Sequence, residues 1–262
     1  MVTREMIIDS IISVSMKSKH VRAVWEIGAV AFGRVDEWSD VDLVFDVSDE
    51  SFEEVFALIE VELEKYAPIE HKYGAPNGIA KGAYQNVYKL ENISEFLVIE
   101  LCFIPSSSEH KAIEKEIHGD IIVHFDKEGV LKEEEVDLET FAKKIEARLE
   151  TMKTLLGMYQ FMVKKEINRE NPIEAYFYYF SVALAPILEL VKMHYTPFRY
   201  DFRHRYVYYE LPEHVVKEIE EFTFVKDLDD LSTKYKKLLV RFKEELDYLN
   251  SIDILEHLKK HK

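Results

Sequence analysis

A single cysteine, Cys102, in 262 residues leaves no intramolecular disulfide and no thiolate cluster for zinc. Disulfide-stapled secreted scaffolds and zinc ribbons are thereby excluded, and a reducing, cytosolic compartment is the expectation. Glutamine is almost as scarce, at Gln85 and Gln160 only, while 32% of residues are charged; this combination matches the thermophile pattern of many ion pairs and few heat-labile side chains. Long apolar runs are missing too. The longest, Tyr176 to Leu188, is about thirteen residues with Pro186 inside it, against roughly twenty needed to cross a bilayer, so no membrane span is expected. The opening MVTREMIIDSIISVSMK is interrupted by Arg4, Glu5 and Asp9 and has no small-residue cleavage pattern, so no signal peptide is expected. No period of about 20 to 50 residues and no low-complexity tract is present, which removes solenoids and linkers.

Positive charge is what the first half has least of. Residues 1–135 carry 13 Lys and Arg against 28 Asp and Glu, a net of −15, whereas residues 136–262 carry 21 against 22, a net of −1. Proteins that grip a polyphosphate backbone need basic surfaces, so DNA and RNA are disfavoured as main partners. The 47% apolar and 13% aromatic content is ample for a buried core and excludes intrinsic disorder.

The pattern of apolar residues changes near the same point. Before it, helix and strand periods mix: a helix over Met6–Met16, strands at Val21–Ile27 and Val41–Val47 around a Gly-containing turn, and a helix over Ser51–Tyr66. The stretch Tyr73–Ala83 reads as a loop, and further strands are expected at Tyr84–Leu90, Phe96–Ile104 and Asp120–Phe125. From Asp137 the period becomes 3.6, with Leu138, Phe141, Ile145, Leu149, Met152, Leu156 and Tyr159 on one face. Helices are also expected from Pro172 to about His194, over Pro212–Phe222 and over Asp227–Leu249. The chain thus reads as a small mixed-sheet α/β (α+β) domain over 1–135 and an α-helical bundle over 136–262.

Chemistry concentrates in GAVAFGRVDEWSDVDLVFDV, residues 28–47. Gly28 and Gly33 follow an apolar strand and permit a turn whose backbone N–H groups can receive phosphate oxygens; Ser39 adds a hydroxyl. Asp40 and Asp42 then open the next strand at i, i+2, which places both carboxylates on one face while Val41, Leu43 and Phe45 turn to the core. Paired hard oxygen ligands suit Mg²⁺, which is commonly held by one or two carboxylates and substrate phosphates. Spacing alone is a weak signal: Asp227-Leu228-Asp229 repeats it without a Gly turn and reads as a helix start, where carboxylates favour the dipole. Ten histidines form no His-Glu-x-x-His or comparable pair, and His118 and His124 stand six apart across an expected strand, so surface or packing roles are expected of them. Packing roles are likewise expected of Cys102 and of the aromatic and arginine cluster 195–209.

The 28–47 segment resembles the nucleotidyltransferase superfamily that includes DNA polymerase beta and the antibiotic nucleotidyltransferases. Its small-substrate branch is similar to G-S-x-A-x-G, five residues, S-D-x-D-L, and this chain supplies Gly28, Ala31, Gly33, Ser39, Asp40, Asp42 and Leu43 in register. The resemblance covers roughly the first 130 residues and implies a third carboxylate on a later strand, for which Glu100 in FLVIELCFIP is the candidate. It departs at Ala29, where the family usually has Ser, and at Phe32, where a basic residue is common; Arg34 follows directly after the second Gly. The resemblance implies transfer of a nucleoside monophosphate from Mg²⁺-NTP (ATP or another NTP, with Mn²⁺ as the alternative ion) to an acceptor. Asp40 and Asp42 would be metal ligands and Glu100 a third ligand or a base, while Gly28, Ala29, Gly33, Arg34 and Ser39 would lie along the triphosphate. By charge, the acceptor is expected to be a small cationic or neutral molecule or a protein side chain. The alternative reading is a non-catalytic nucleotide-binding or antitoxin-like module working through its helical half. A homodimer is compatible with either reading.

Overall fold

The computed structural model describes residues 2–76, 82–111, 113–132 and 134–262, and the chain divides into two units at Glu135/Val136. The first is α/β. Thr3 caps α1 (Arg4–Lys17) by accepting from the Met6 N–H, and Ile7, Ile8 and Ile11 face inward. β1 (Val21–Glu26), β2 (Val41–Val47), α2 (Phe52–Leu63), β3 (Ile69–Pro76), β4 (Tyr84–Leu90), β5 (Ile99–Pro105), α3 (Lys115–His118) and β6 (Ile122–Asp126) follow. The six strands form one mixed sheet in the order β3-β4-β5-β2-β1-β6. β2 and β5 run parallel at its centre, and the other neighbours are antiparallel.

Both faces of the central strands are covered mid-strand, which is why β2 and β5 read as nearly continuous apolar runs. Val41, Leu43, Phe45, Ile99, Leu101 and Phe103 pack against the inner faces of α1 and α2, with Phe56 stacked on Phe103 at 4.0 Å. The opposite face buries Ala23, Trp25, Val44, Cys102 and Ile104. The expected loop Tyr73–Ala83 is partly strand. β3 extends to Pro76, and residues 77–81 lie outside the described residues. Gly74 and Pro76 disguise an edge strand, where both are tolerated. Glycine is needed at 74 because a Cβ would lie 2.7 Å from both Asn86 Oδ1 and Tyr84 Oη.

The second unit is helical: α4 (Leu138–Tyr159), α5 (Phe161–Asn168), α6 (Pro172–Tyr178), α7 (Ala185–Tyr195), α8 (Val207–Glu210), α9 (Glu213–Thr223), α10 (Leu228–Ser251) and α11 (Ile254–His261). The helices predicted from periodicity are present. α5, α8 and α11 are additional, each eight residues or fewer and too short to display a period. The predicted α4 stripe is buried from Phe141 to Met152 and surfaces by Tyr159. α6 and α7 join through a π-helical turn, Tyr179–Leu184, because Pro186 cannot donate to the preceding turn and the wider loop absorbs the lost bond.

The whole run Pro172–Tyr195 is 24 residues and contains an 18-residue window of mean hydropathy 1.2. By length and composition alone that would let it cross a membrane, which the uninterrupted apolar run did not suggest. Its two buried charges, Glu189 and Lys192, are satisfied inside the bundle. Glu189 accepts from Arg148 (2.8 Å) and Arg203 (2.8 Å), and the fully buried Lys192 donates to the Arg205 carbonyl (2.7 Å) and Glu210 (2.8 Å).

A second buried charge secures the first unit. Asp46, fully buried on β2, accepts from Arg22 Nε (2.7 Å) and Ser106 Oγ (2.8 Å) and pairs with Lys111 Nζ (2.8 Å). Burial works to raise the Asp46 carboxyl pKa, but the bonds from Arg22, Lys111 and Ser106 outweigh it and hold the group below the ordinary carboxylate range. Removing one partner of a buried pair costs about 3 to 5 kcal/mol because the other charge is left uncompensated. Asp46→Asn should therefore lower unfolding free energy by about that much at pH 7 in urea titrations. A carboxyl whose folded pKa is depressed stabilises above its unfolded pKa of about 3.9, and that contribution is lost as pH falls through the folded value. The gap between wild type and Asp46→Asn should accordingly close below about pH 4; an equal gap at pH 3 and pH 7 would refute the assignment.

Candidate active site

β1 ends into a tight turn. Gly28 adopts φ +73°, residues 30–32 form a single 3₁₀ turn, and Gly33 closes it at φ +64°. The Ala29 carbonyl accepts from the N–H of Arg34 (2.9 Å) and Phe32 (3.3 Å), and Gly33 N–H donates to Val30 O (3.0 Å). The stretch after α3 holds the turn in place: Asp120 N–H donates to Ala31 O at 2.8 Å, and a Cβ on Gly119 would come within 2.6 Å of that same oxygen.

Gly28 is required twice over. Its φ suits glycine, and a Cβ there would lie 2.1 Å from Asp42 Oδ2. The Asp42 carboxylate therefore rests directly over the turn. At Gly33, by contrast, a Cβ would meet nothing within 4 Å, so that glycine answers only to its backbone angle.

The parallel register of β2 and β5 makes Asp42 and Glu100 direct partners, on strands spaced about 4.8 Å apart. Both are half-buried, as is Asp40, which stands two residues before Asp42 at the entrance to β2. Two of the three expected carboxylates thus face each other across neighbouring strands. Gln85 on β4 donates its side-chain N–H to Glu100 Oε1. Arg4 donates from Nε to the Asp40 carbonyl at 2.7 Å and is hydrogen-bonded to Glu26. Burial pushes the Arg4 guanidinium pKa down, while the fields of Glu5, Asp42 and Asp40 oppose that. On its other oxygen the buried Glu26 meets His124 Nε2 at 3.3 Å; burial lowers the His124 pKa below the usual imidazole value.

Arg4, Glu26 and Gln85 are given no role by the sequence, because none belongs to a motif and each arrives from a different element; His124, of which a surface or packing role is expected, meets Glu26. The remaining expected residues are placed as follows. Ser39 Oγ accepts from Asp36 N–H (2.9 Å) and donates to Asp36 Oδ1 (2.8 Å), building the loop before β2. Arg34 stacks its guanidinium 4.9 Å from the Phe32 ring centre. Cys102 is buried in the apolar cluster beneath Glu100. Phe198 and Tyr200 of the aromatic cluster pack on Phe141, whereas Tyr208 and Tyr209 are exposed. Asp227 caps α10, accepting from Asp230 N–H at 2.8 Å, which makes the second Asp-x-Asp a helix start.

Carboxylates of this kind are oxygen donors of the sort that Mg²⁺ and Mn²⁺ take. Asp40, Asp42 and Glu100 would hold the ion beside the Gly28 turn. Substituting the two glycines separates backbone strain from carboxylate displacement. Gly28→Ala and Gly33→Ala each force a side chain into the left-handed region at about 1 to 2 kcal/mol, but only Gly28→Ala displaces Asp42. Calorimetric Mn²⁺ titration should therefore show affinity reduced at least tenfold in Gly28→Ala and retained in Gly33→Ala. Equal affinities in the two variants would detach Asp42 from cation binding.

No protein-family model matches the chain, and no curated protein matches its sequence. Solved structures do match. Among them is an aminoglycoside 6-adenyltransferase from Bacillus subtilis, which aligns over 100% of this chain and 97% of its own with 14% identity and a TM-score of 0.38.

Proposed function

We propose that the chain transfers a nucleoside monophosphate from a metal-bound nucleoside triphosphate to a small-molecule or protein acceptor, releasing pyrophosphate. The observation that supports it is the pairing of Asp42 with Glu100 across β2 and β5, with the Asp42 carboxylate laid over the Cα of Gly28. Carboxylates and a phosphate-binding turn then converge on one patch of backbone. In this reading the acceptor hydroxyl oxygen attacks the α-phosphorus, an O–P bond forms as the hydroxyl proton passes to Glu100 or to water, and the bond from the α-phosphorus to the bridging oxygen breaks, releasing pyrophosphate. A divalent ion bound there would polarise phosphoryl oxygens and neutralise the leaving pyrophosphate.

The remaining roles fall to the chain itself. Asp40 and Asp42 hold the ion, and Glu100, oriented by Gln85, shares it. Arg4 fixes the backbone at Asp40 and so sets where β2 begins. The N–H groups of Phe32, Gly33 and Arg34 are engaged within the turn, so in this reading phosphate contacts fall to the N–H groups before them, from Gly28 onward. The −15 charge of residues 1–135 favours an acceptor that is cationic or neutral over a nucleic acid.

Incubation with α-labelled NTPs, Mg²⁺ or Mn²⁺ and a mixed acceptor extract should transfer label to an acceptor. Asp40→Asn and Asp42→Asn should each reduce that transfer a hundredfold or more, with an unchanged far-UV spectrum. Several per cent of wild-type turnover in either variant would overturn the roles given to these residues, and NTP binding without any transfer would favour the non-catalytic module. Ala29→Ser adds a hydroxyl at the turn. A hydrogen bond to a charged group contributes about 1.5 to 3 kcal/mol, so this variant should bind Mg²⁺-NTP about tenfold more tightly or better. An unchanged affinity in a folded Ala29→Ser protein would mean that the triphosphate does not reach residue 29.

A further inference from the structure

A second cluster of ligating side chains lies away from the carboxylates of β2 and β5. His110, in the loop after β5, Glu114, at the cap of α3, and Glu134, on the chain leaving β6, bring one ligating atom each within 4.8 Å of one another. His110 Nδ1 stands 3.5 Å from Glu114 Oε1 and 3.2 Å from Glu134 Oε2. Charge-assisted N–H···O bonds close to about 2.7 to 2.9 Å, so these contacts are ion-pair distances longer than a close hydrogen bond. Both lie near the edge of a tetrahedron, about 3.3 Å, set by zinc–nitrogen and zinc–oxygen bonds of about 2.0 to 2.2 Å, while the two carboxylate oxygens, within 4.8 Å of each other, would close on the ion.

The surroundings orient each ligand. Lys111 N–H donates to Glu134 Oε1 at 3.3 Å, which leaves Oε2 turned to His110. The other oxygen of Glu114, Oε2, is buried without a hydrogen-bond partner, and His118 Nε2 stands 3.7 Å from it. Ligating carboxylates are commonly braced by such outer partners. The imidazole ring of His110 is half exposed, so its Nε2–H can face water while Nδ1 binds.

We propose that His110 Nδ1, Glu114 Oε1 and Glu134 Oε2 bind a divalent zinc-type cation, with water as the fourth ligand. One imidazole and two carboxylates are a borderline-to-hard donor set that suits Zn²⁺. The ion would tie the β5–α3 loop to the strand exit at residue 134, one residue before the boundary between the two units. It would also brace α3, whose following residues hold the Ala31 carbonyl. This site shares no residue with Asp40, Asp42 and Glu100 and stands whether or not those residues perform nucleotidyl transfer.

The test uses the full chain stripped with EDTA and dialysed, titrated calorimetrically with ZnCl₂ and separately followed by Co²⁺ absorption. In Asp42→Asn, which sets aside the other carboxylates, one equivalent of Zn²⁺ should bind, the melting temperature should rise, and Co²⁺ should give tetrahedral d–d bands. Adding His110→Ala should weaken Zn²⁺ at least a hundredfold and abolish both the bands and the melting shift. Glu134→Gln is the second variant should His110→Ala melt early in EDTA. Failure of Asp42→Asn to bind Zn²⁺, or unaltered affinity and bands after both further substitutions, would overturn the site.

Discussion

The approach of the Asp42 carboxylate to the Cα of Gly28 is the constraint from which the rest of the first unit's site takes its position. A carboxylate lying against the preceding turn can do so only if that turn has no side chain. The turn can bend in this way only with a residue that tolerates φ +73°. Once Asp42 is fixed, the parallel register of β2 and β5 fixes Glu100 beside it, because a slip of one residue would send Glu100 to the opposite face and bury it against α1 and α2. Packing enforces that register. Val41, Leu43 and Phe45 interdigitate with Ile99, Leu101 and Phe103, so the apolar core and the placement of the carboxylates are set by the same alternation.

Two supports act on the turn from outside. Arg4, at the start of α1, holds the Asp40 carbonyl and the Glu26 carboxylate together, which locks the helix N-terminus to the sheet where β1 ends and β2 begins. The Gly119–Asp120 backbone holds Ala31 from the other side. A turn bounded in this way is preorganised, and preorganised donors stabilise developing charge without reorganising as it forms.

Much of this was legible in the chain. β2 and β4 occupy the predicted residues, and the long α10 begins at the predicted Asp227 cap, because these elements have strong local signals: strand-forming residues bounded by turns, or a cap followed by a 3.6 period. The Gly turn and the Asp-x-Asp strand were legible as one unit because both lie within twenty consecutive residues. What stayed hidden has a common cause. Arg4, Gln85 and His124 lie far along the chain from the motif they support, and only sheet topology brings them near. β3 was read as loop because Gly74 and Pro76 mimic turn punctuation, although Gly74 is there to admit Asn86 and Tyr84. Ser39 shows the reverse: it matches a motif position, yet its hydroxyl is engaged with Asp36.

β2 also explains why a carboxylate pattern alone cannot report a site. Asp40, Asp42 and Asp46 all occupy even positions, and alternation gives the strand positions among them, Asp42 and Asp46, the same face. Their fates differ because of what crosses the two ends of the strand. At the far end Arg22, Lys111 and Ser106 close over Asp46, which is fully buried and held ionised by fixed donors. A cation there would have to displace two basic side chains. At the near end the neighbour is a glycine turn, Asp42 is only half-buried, and the adjacent strand offers Glu100, a second acid. Two carboxylates side by side are a donor pair of the kind a divalent ion takes, whereas the far end of β2 already carries its cations in Arg22 and Lys111. One strand face thus carries a structural aspartate and a candidate ligand four residues apart, and the distinction lies in neighbouring elements that the local sequence of β2 does not contain.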